Sequence, residues 1–484
     1  MDSVKPHGSP TDTNADTILI VKKFCGNSCH LLPDPSLLDK KTWTDKVLPN
    51  MGCRLGIQTE GYNPYGLYGM EEVGELVKNN VYPDLPLVSV KDWTKIMAYF
   101  KAYSPDSIPV PEIECKVLDQ FRVIPFGEKV ESPRITLLSY DSSDNRLNVG
   151  MESGLIYSFN GSMDLVDTVS VGQTPMDMLY YNGDKLVLTL GNMYPSEMHT
   201  GRVMIINKDK IKSVLLEKLH RPVHFDFYNE RSGRNIAISE FGYETGSLSM
   251  YSFDKGLLLR QADLSMQAGS VKTIVMDVDG DSINDVVSLM AQGDERVIIF
   301  KKDKKDHFKP ITVLRFPPVH GVCDIDMVDM NADSRPDLII SNGDNADYSI
   351  MTKPYHGIGI YINKGELNFV PDVFVPYPNI LHSEIADFDQ DGDQDIAATA
   401  FFSHSIKIRY PAFIYFEQAG GKFVPYTFPQ SNYGKWMTIK KADMDMDGDE
   451  DIFMGSFLLN NYLVEGSRED LKKYSLLVMK NIKK

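Results

Sequence analysis

Residues 387–395 read Asp-Phe-Asp-Gln-Asp-Gly-Asp-Gln-Asp and run directly into the apolar segment Ile-Ala-Ala-Thr-Ala at 396–400. Carboxylates at the first, third, fifth and ninth positions, with a glycine where the chain turns tightly, offer the oxygen ligands that a hard cation such as Ca²⁺ prefers. The apolar run that follows has the length and composition of a buried strand. The segment therefore predicts a cation-binding turn between two strands of a sheet.

The same pattern occurs four times, and the four segments start 52, 58 and 56 residues apart. Together they hold 17 aspartates. Like charges packed this closely repel one another unless a cation neutralises them, which favours Ca²⁺ over the alternative that these are simply polar hairpin turns. An EF-hand is excluded because the twelfth position is never glutamate and strands follow. The predicted ligands of two to four Ca²⁺ ions are Asp277, Asp279, Asp281, Asp285, Asp329, Asn331, Asp333, Asp337, Asp387, Asp389, Asp391, Asp393, Asp395, Asp443, Asp445, Asp447, Asp449 and Asp451.

Short β-runs separated by turn residues continue through the rest of the chain after about residue 120. Seven of them have the character of the third strand of a four-stranded repeat, and each is preceded by a strand, a turn and a second strand. Four strands per repeat are typical of a propeller blade, and closing the repeats into a ring removes exposed sheet edges. The sequence predicts an all-β seven-bladed β-propeller over 121–484, with six or eight blades as alternatives. The third-strand segments are 154–160, 201–207, 246–253, 295–301, 357–363, 412–417 and 474–480.

These aspartate segments resemble the FG-GAP or VCBS repeats of integrin-like propellers. The resemblance implies that Ca²⁺ sits in the turn between the first two strands of a blade. Such an ion would have a structural role, since it ties a turn to its blade rather than offering an open site.

A second chemical signal lies near the N-terminus, where residues 24–30 read Phe-Cys-Gly-Asn-Ser-Cys-His. Two thiols, Cys25 and Cys29, beside His30 are what covalent attachment of a c-type haem requires. Three residues separate the cysteines, whereas the usual spacing leaves two. The alternative is that the thiols form a disulfide or stay free and that His30 is an ordinary surface residue. Zinc is disfavoured because no second Cys/His pair lies at the usual spacing.

Residues 17–104 resemble a class I cytochrome c, a small all-α domain. Short helices are predicted over 18–24, 35–47, 71–78 and 90–103, Pro33 follows the histidine, and the closing helix contains Trp93 and Tyr99. The resemblance implies one haem c, with His30 as the proximal ligand and a backbone carbonyl near the proline accepting its second ring N–H.

The resemblance also implies a methionine as the sixth ligand of the iron. Met51 follows a helix that contains Trp43, as in small haem domains in which such a helix delivers the methionine. Met70 fits the longer spacing of standard class I proteins. Of the two, Met51 is the favoured ligand and Met70 the alternative.

Composition limits the possible partners. A net charge of −17 argues against nucleic acid and against an anionic membrane surface. No apolar run reaches the length of a membrane-spanning helix. Residues 1–16 are expected to form a flexible spacer, and three prolines within 104–114 place a linker at 105–120. No signal peptide is visible in 1–16, so periplasmic, cell-surface or extracellular location would depend on a segment not seen in this chain, with a lipid anchor on the mature N-terminus as one possibility.

These observations favour an exported electron-transfer protein over a stand-alone enzyme, with the propeller docking a redox partner protein or a surface ligand. No nucleophile elbow, phosphate loop or dinucleotide fingerprint occurs, so no catalytic residue is assigned. One alternative is a haem-dependent oxidoreductase with a site on the propeller axis, where His224, His320 and His382 could converge, although unrelated channel or loop positions explain them more simply. The other alternative is an adhesion or glycan-binding propeller.

Overall fold

The computed structural model describes most of the chain in two parts, a helical segment followed by a β-propeller. Of the predicted spacer, Ala15 and Asp16 begin the first helix, and the remainder lies outside the described residues. The described residues are 15–26, 29–58, 62–110, 112–181, 183–207, 210, 212–230, 233–254, 256–344, 351–402, 410–458 and 465–482.

The helical segment packs around a cluster of aromatic and aliphatic side chains. Trp43 and Phe100 lie at its centre, with ring centroids 4.6 Å apart, and the Trp43 indole N–H donates to the Pro35 carbonyl at 2.8 Å. Asp39 and Ser89 cap the second and fifth helices through their side-chain oxygens. The helices are α1 (Ala15–Cys25), α2 (Lys40–Thr42), a π-helical turn (Trp43–Val47), α3 (Leu48–Arg54), α4 (Met70–Lys78) and α5 (Val90–Tyr103), with a 3₁₀ turn at Pro35–Leu37.

Seven four-stranded antiparallel units, blades 1 to 7, follow the helices. The innermost strands of neighbouring blades contact one another around a complete ring, so the propeller is closed with seven blades, as predicted. Every third-strand segment expected from the sequence is found as a strand. Blade 1 contains β3 (Ile135–Asp141), β4 (Arg146–Met151), β5 (Leu155–Phe159) and β6 (Leu165–Ser170); blade 2 β7 (Pro175–Tyr181), β8 (Asp184–Thr189), β9 (Gly201–Ile206) and β10 (Lys212–Leu219); blade 3 β11 (Pro222–Glu230), β12 (Gly233–Glu240), β13 (Ser247–Asp254) and β14 (Leu257–Ser265); blade 4 β15 (Ser270–Met276), β16 (Asp285–Met290), β17 (Arg296–Lys302) and β18 (Phe308–Arg315); blade 5 β19 (Val322–Val328), β20 (Asp337–Asn342), β21 (Gly357–Asn363) and β22 (Phe369–Pro376); blade 6 β23 (Ile380–Ala386), β24 (Asp395–Ala400), β25 (Phe413–Ala419) and β26 (Lys422–Thr427); and blade 7 β27 (Trp436–Ala442), β28 (Asp451–Ser456) and β29 (Leu476–Asn481).

The two ends of the propeller sequence close the ring. Strand β2 (Phe121–Pro125) pairs antiparallel with β29 and supplies the outer strand of blade 7, with Phe121 opposite Asn481. Strand β1 (Lys116–Val117), within the predicted linker, adds a parallel fifth strand to blade 6. A last helix, α6 (Arg468–Lys473), precedes β29. Because β2 and the last strand, β29, share one sheet, blade 7 has four strands like the other blades and its third strand is not left as an edge.

The second strand of a blade is its most buried part. Every residue of β16, β20, β24 and β28, the strands that follow the four aspartate segments, is buried. Their apolar side chains pack between neighbouring blades and form the main core clusters. Among the described residues, no helix is both long enough and apolar enough to cross a membrane.

Candidate functional site

A cavity of about 1040 Å³ lies between the helical segment and the loops and strand ends at one end of blades 2 to 5. Cys25, Cys29, His30 and Met51 all line it. Trp43, Trp93 and Phe100 give the helical side of the cavity an aromatic surface, whereas Tyr243, Arg260, Gln292, Val319 and Lys353 line the propeller side. The structure therefore brings together the two thiols, the histidine and the methionine that the sequence selected.

His30 is buried and oriented by its own backbone. Its side chain contacts the Leu31 carbonyl through Nδ1 at 2.7 Å, which leaves Nε2 as the nitrogen that can bind a metal. Burial lowers its pKa, and Arg315 of β18 lowers it further, so the imidazole is held in the neutral form that ligates iron. The acceptor lies two residues before Pro33, in the stretch where the resemblance placed it.

The two cysteines differ in exposure. Cys25 ends α1 and is buried, whereas Cys29 is exposed, and both are free thiols. Burial raises the pKa of the Cys25 thiol to about 12. The disulfide alternative is therefore not the state found in the structure.

The two candidate methionines lie in different environments. Met51 is half-buried on α3 in the apolar cluster around Trp43. The next residue, Gly52, lies so close to Trp93 that an added Cβ would be 3.0 Å from the indole ring. Met70 is 95% exposed at the start of α4 and does not line the cavity. Of the two candidate methionines, Met51 is the one that borders the same cavity as His30.

The four aspartate segments form turns with the same backbone. In each turn the first carboxylate accepts hydrogen bonds from the amides at the fifth and sixth positions, at 2.7–3.1 Å. The fourth and sixth residues adopt positive φ in all four turns, and the fourth residue is Ala332, Gln390 or Met446 in three of them. Non-glycine residues in this conformation cost about 1 kcal/mol each, so the surrounding turn must enforce it.

The ninth carboxylate of each turn begins the second strand and reaches the end of the third strand of the same blade. Asp285, Asp337, Asp395 and Asp451 accept the backbone amides of Lys302, Asn363, Gln418 and Asn481 respectively, at 2.8–2.9 Å. Each turn is thereby tied to two strands of its blade.

Three of the four turns gather carboxylate oxygens within 4.8 Å of one another, with ligand sets from 277–285, 387–391 and 443–447. Buried oxygens without a hydrogen-bond donor occur in the same three turns: Asp279 Oδ1, Asp285 Oδ2, Asp393 Oδ1 and Asp449 Oδ1. Burial and neighbouring carboxylates raise the pKa of Asp285 and Asp449 to about 6 and that of Asp451 to about 7. The chemistry of these donor sets fits Ca²⁺.

The turn at 329–337 is different. Its third position is Asn331, and its seventh position is Arg335, whose guanidinium donates to Asp333 at 2.6 Å. A positive side chain thus occupies this turn, which fits a bound cation less well than the other three turns do. Lys301 and Lys480 also contact Asp279 and Asp445, the third residues of the turns at 277–285 and 443–451.

The propeller axis carries interblade ion pairs rather than a histidine cluster. His224 and His382 occupy equivalent positions after the bulge of β11 and β23. His224 Nε2 lies 3.6 Å from Asp177 Oδ2, and His382 Nδ1 lies 3.2 Å from Asp324 Oδ2.

His320 lies elsewhere, stacked between Phe316 and Tyr355 with ring centroids 5.2 and 5.5 Å away. The three histidines do not converge, which agrees with the simpler interpretation of unrelated channel and loop positions: His320 belongs to a loop, and the other two contact separate aspartates. Lys272, Asp324 and Asp326 were not among the predicted site residues. A signal was available, because the third residue of the first strand is polar in blades 2 to 6: Asp177, His224, Lys272, Asp324 and His382.

Comparison with known proteins supports the propeller part of the chain. The model of the FG-GAP-like repeat family matches residues 277–340, which include the first two aspartate turns. A search of proteins with curated functions gives no match. Similar solved structures include the N-terminal domain of Nup159 (9% identity, TM-score 0.43, covering 76% of this chain and 98% of that one). They also include the β-propeller domain of Cps50 (Swd1) from Myceliophteria thermophila (8%, 0.46, 73% and 98%) and the Pan2 WD40 domain from Neurospora crassa (10%, 0.44, 76% and 97%). These similarities concern the fold alone.

Proposed function

We propose that the protein is an exported c-type cytochrome that transfers electrons through one haem, and that its Ca²⁺-stabilised propeller is a docking platform. The observation that carries the proposal is the shared cavity: its volume suits a cofactor, and Cys25, Cys29, His30 and Met51 all border it. The sequence motif and the resemblance that name these four residues imply nothing about a cavity on the propeller. Their meeting around one space is unexpected if they are unrelated.

In this proposal each residue has a defined task. Haem c would supply reversible one-electron oxidation and reduction of its iron. Cys25 and Cys29 would hold the porphyrin through thioether bonds, His30 would present Nε2, and Met51 would present its thioether sulfur. Trp43, Trp93 and Phe100 exclude water from the helical side, and a dry site with a methionine ligand favours a raised reduction potential.

The turns at 277–285, 387–395 and 443–451 would each hold one Ca²⁺. The ion would bind carboxylate oxygens that have no hydrogen-bond donor within the chain, such as Asp393 Oδ1 and Asp449 Oδ1. Since the ninth carboxylate also holds the third strand, binding would fix the turn relative to two strands of its blade. We propose a structural role for these ions.

A propeller with FG-GAP-like repeats fits a binding or docking platform. Its partner would be a redox protein or a surface ligand. Haem attachment to thiols and Ca²⁺ in millimolar-range sites are both typical of the periplasm or the exterior of the cell, where we place the protein.

Haem content tests the proposal directly. The full chain is produced in a host with a c-type haem maturation system, and its absorption spectrum and the mass of the peptide containing residues 25–30 are measured. We expect Soret and α bands and one covalently bound haem per chain. The double variant Cys25→Ala/Cys29→Ala should lose covalent haem, whereas the control Cys115→Ala, in the linker, should retain it. A colourless, folded wild-type protein with both thiols unmodified would overturn the proposal.

A further inference from the structure

Glu244, in the loop between β12 and β13, joins the propeller to the helical segment. Its side chain is only 2% exposed, and it receives three donors from the helical segment. Arg54 of α3 forms an ion pair with Oε2, while the hydroxyls of Tyr68 and Tyr82 donate to Oε1 at 3.1 and 2.9 Å. A buried carboxylate needs this degree of compensation, so the contact is specific rather than incidental.

The loop that carries Glu244 is itself fixed. The fully buried Glu197 accepts the Glu244 amide at 2.7 Å and the Thr245 hydroxyl at 2.7 Å. In return, Glu72 of α4 accepts the Ser196 hydroxyl at 2.7 Å and the Glu197 amide at 2.9 Å. Glu72 of the helical segment thus binds the propeller, and Glu244 of the propeller binds the helical segment. The contacts with Glu197 fix the loop that carries the Glu244 carboxylate.

Arg54 connects Glu244 to α3, the helix that lines the cavity. It lies three residues after Met51, so the two side chains share one face of α3. Its Nε donates to the Asn50 side chain at 3.1 Å, which holds the guanidinium against the same helix. Moving Arg54 away from Glu244 would therefore move or loosen the helix that carries Met51.

We propose that Glu244 is a positioning residue of the redox centre: by holding Arg54 it fixes α3, and with it the place of the Met51 thioether relative to the His30 imidazole. This inference rests on the proposed haem function. It makes the propeller a structural part of the redox centre as well as a platform.

The test measures how readily an external ligand displaces methionine. Imidazole is titrated into the oxidised full-length holoprotein, because the apparent affinity for an external ligand rises with the fraction of molecules whose sixth position is open. Glu244→Gln, which keeps the shape and removes the charge, should raise the imidazole affinity about tenfold, the factor expected for loss of one charged hydrogen bond. Met51→Leu should raise it at least as much.

Two control variants distinguish positioning of Met51 by Glu244 from a general loss of stability of the protein. Tyr68→Phe removes a hydrogen bond to the same carboxylate but leaves the Arg54 ion pair, and Glu152→Gln breaks a comparable ion pair with Arg134 inside the propeller. Both should change the imidazole affinity less than about twofold. Hydrogen exchange of the peptide covering 48–54 is measured on the same proteins and should be faster only in Glu244→Gln.

Each result has a distinct reading. Wild-type protein without haem overturns the proposed function and this role together. In coloured protein, unchanged imidazole affinity in Glu244→Gln overturns the positioning role alone. Faster exchange of α3 with unchanged affinity also overturns it, since Glu244 would then be a structural contact and nothing more.

Discussion

The propeller axis and the aspartate turns both crowd carboxylates together, but they compensate the charge differently. On the axis, Lys272 Nζ lies 2.9 Å from both Asp324 and Asp326, so the chain supplies its own cation. These contacts lower the pKa of Asp324 and raise that of Lys272, whereas burial raises the pKa of Asp326 to about 7. One oxygen of this cluster, Asp326 Oδ2, has no hydrogen-bond donor, compared with four buried aspartate oxygens in the turns. The difference teaches that the same residue type can mark an internal ion pair or a candidate metal site: Lys301 and Lys480 contact two of the turns, yet buried oxygens in those turns still have no donor.

Removing the internal cation of the axis should have the largest effect. Lys272→Met leaves the buried Asp324 and the 25% exposed Asp326 facing each other without their cation, which should cost about 3 kcal/mol of unfolding free energy. Chemical denaturation of the variant and the wild type measures the loss. The double variant Lys272→Met/Asp324→Asn should recover part of the stability, because one charge is removed with the cation. A loss below about 1 kcal/mol would mean that water already compensates the axis.

Removing the external cation should affect the turns and not the axis. Chelation of Ca²⁺ is expected to lower the unfolding free energy by about 2–3 kcal/mol for a site held at 100-fold its dissociation constant. Metal analysis after dialysis in Ca²⁺ should find near three ions per chain, from the turns at 277–285, 387–395 and 443–451. The same stability with and without chelator would contradict the calcium assignment, and a count of four would place an ion beside Arg335.

Exchanging the residues at the seventh position of two turns should replace charge compensation by a basic side chain with compensation by Ca²⁺, and the reverse. Arg335→Asp gives the turn at 329–337 the aspartate that Asp449 supplies in the last turn, and it should add one bound Ca²⁺. Asp449→Arg should remove one. Each step is expected to change the stability at saturating Ca²⁺ by about 1–2 kcal/mol, and calorimetric titration gives the stoichiometry. If neither count changes, the side chain at this position does not decide occupancy.

The sequence predicted features whose parts are close together in the chain. The turns were found because all their ligands lie within nine residues, and the seven third strands because each apolar run follows a turn signal. The pairing of β2 with β29 joins residues 121–125 to 476–481, and no local periodicity can reveal it.

The candidate site shows the same division. Cys25, Cys29 and His30 form a local motif, and Met51 followed from its helix. The propeller side of the cavity comes from four blades, 2 to 5, and includes Tyr243 and Val319, so it depends on ring closure and on docking of the helices. Glu244 carried no signal in the sequence because its partners, at 54, 68 and 82, are far away in the chain.

The smallest expected effect is a pH dependence at the axis, where a third kind of carboxylate has neither a strong cation nor an open metal position. Asp177 is compensated mainly by the amides of Phe225 and Met178, and burial raises its pKa from 3.8 to about 7, with Asp226 adding to the rise and Lys440 opposing it.

A raised carboxyl pKa favours the protonated folded state, so its stabilising contribution is complete below about pH 4 and is lost as the pH rises through 7. The unfolding free energy of wild type minus that of Asp177→Asn should therefore fall between pH 4 and 7, by about 1 kcal/mol after allowance for solvent screening at a side chain that is 22% exposed. Denaturation of both proteins across this range, in constant Ca²⁺, measures the difference, because the titration of the aspartate turns is common to both and cancels. A flat difference would show that His224, 3.6 Å away, or channel water already holds the carboxylate in its charged form.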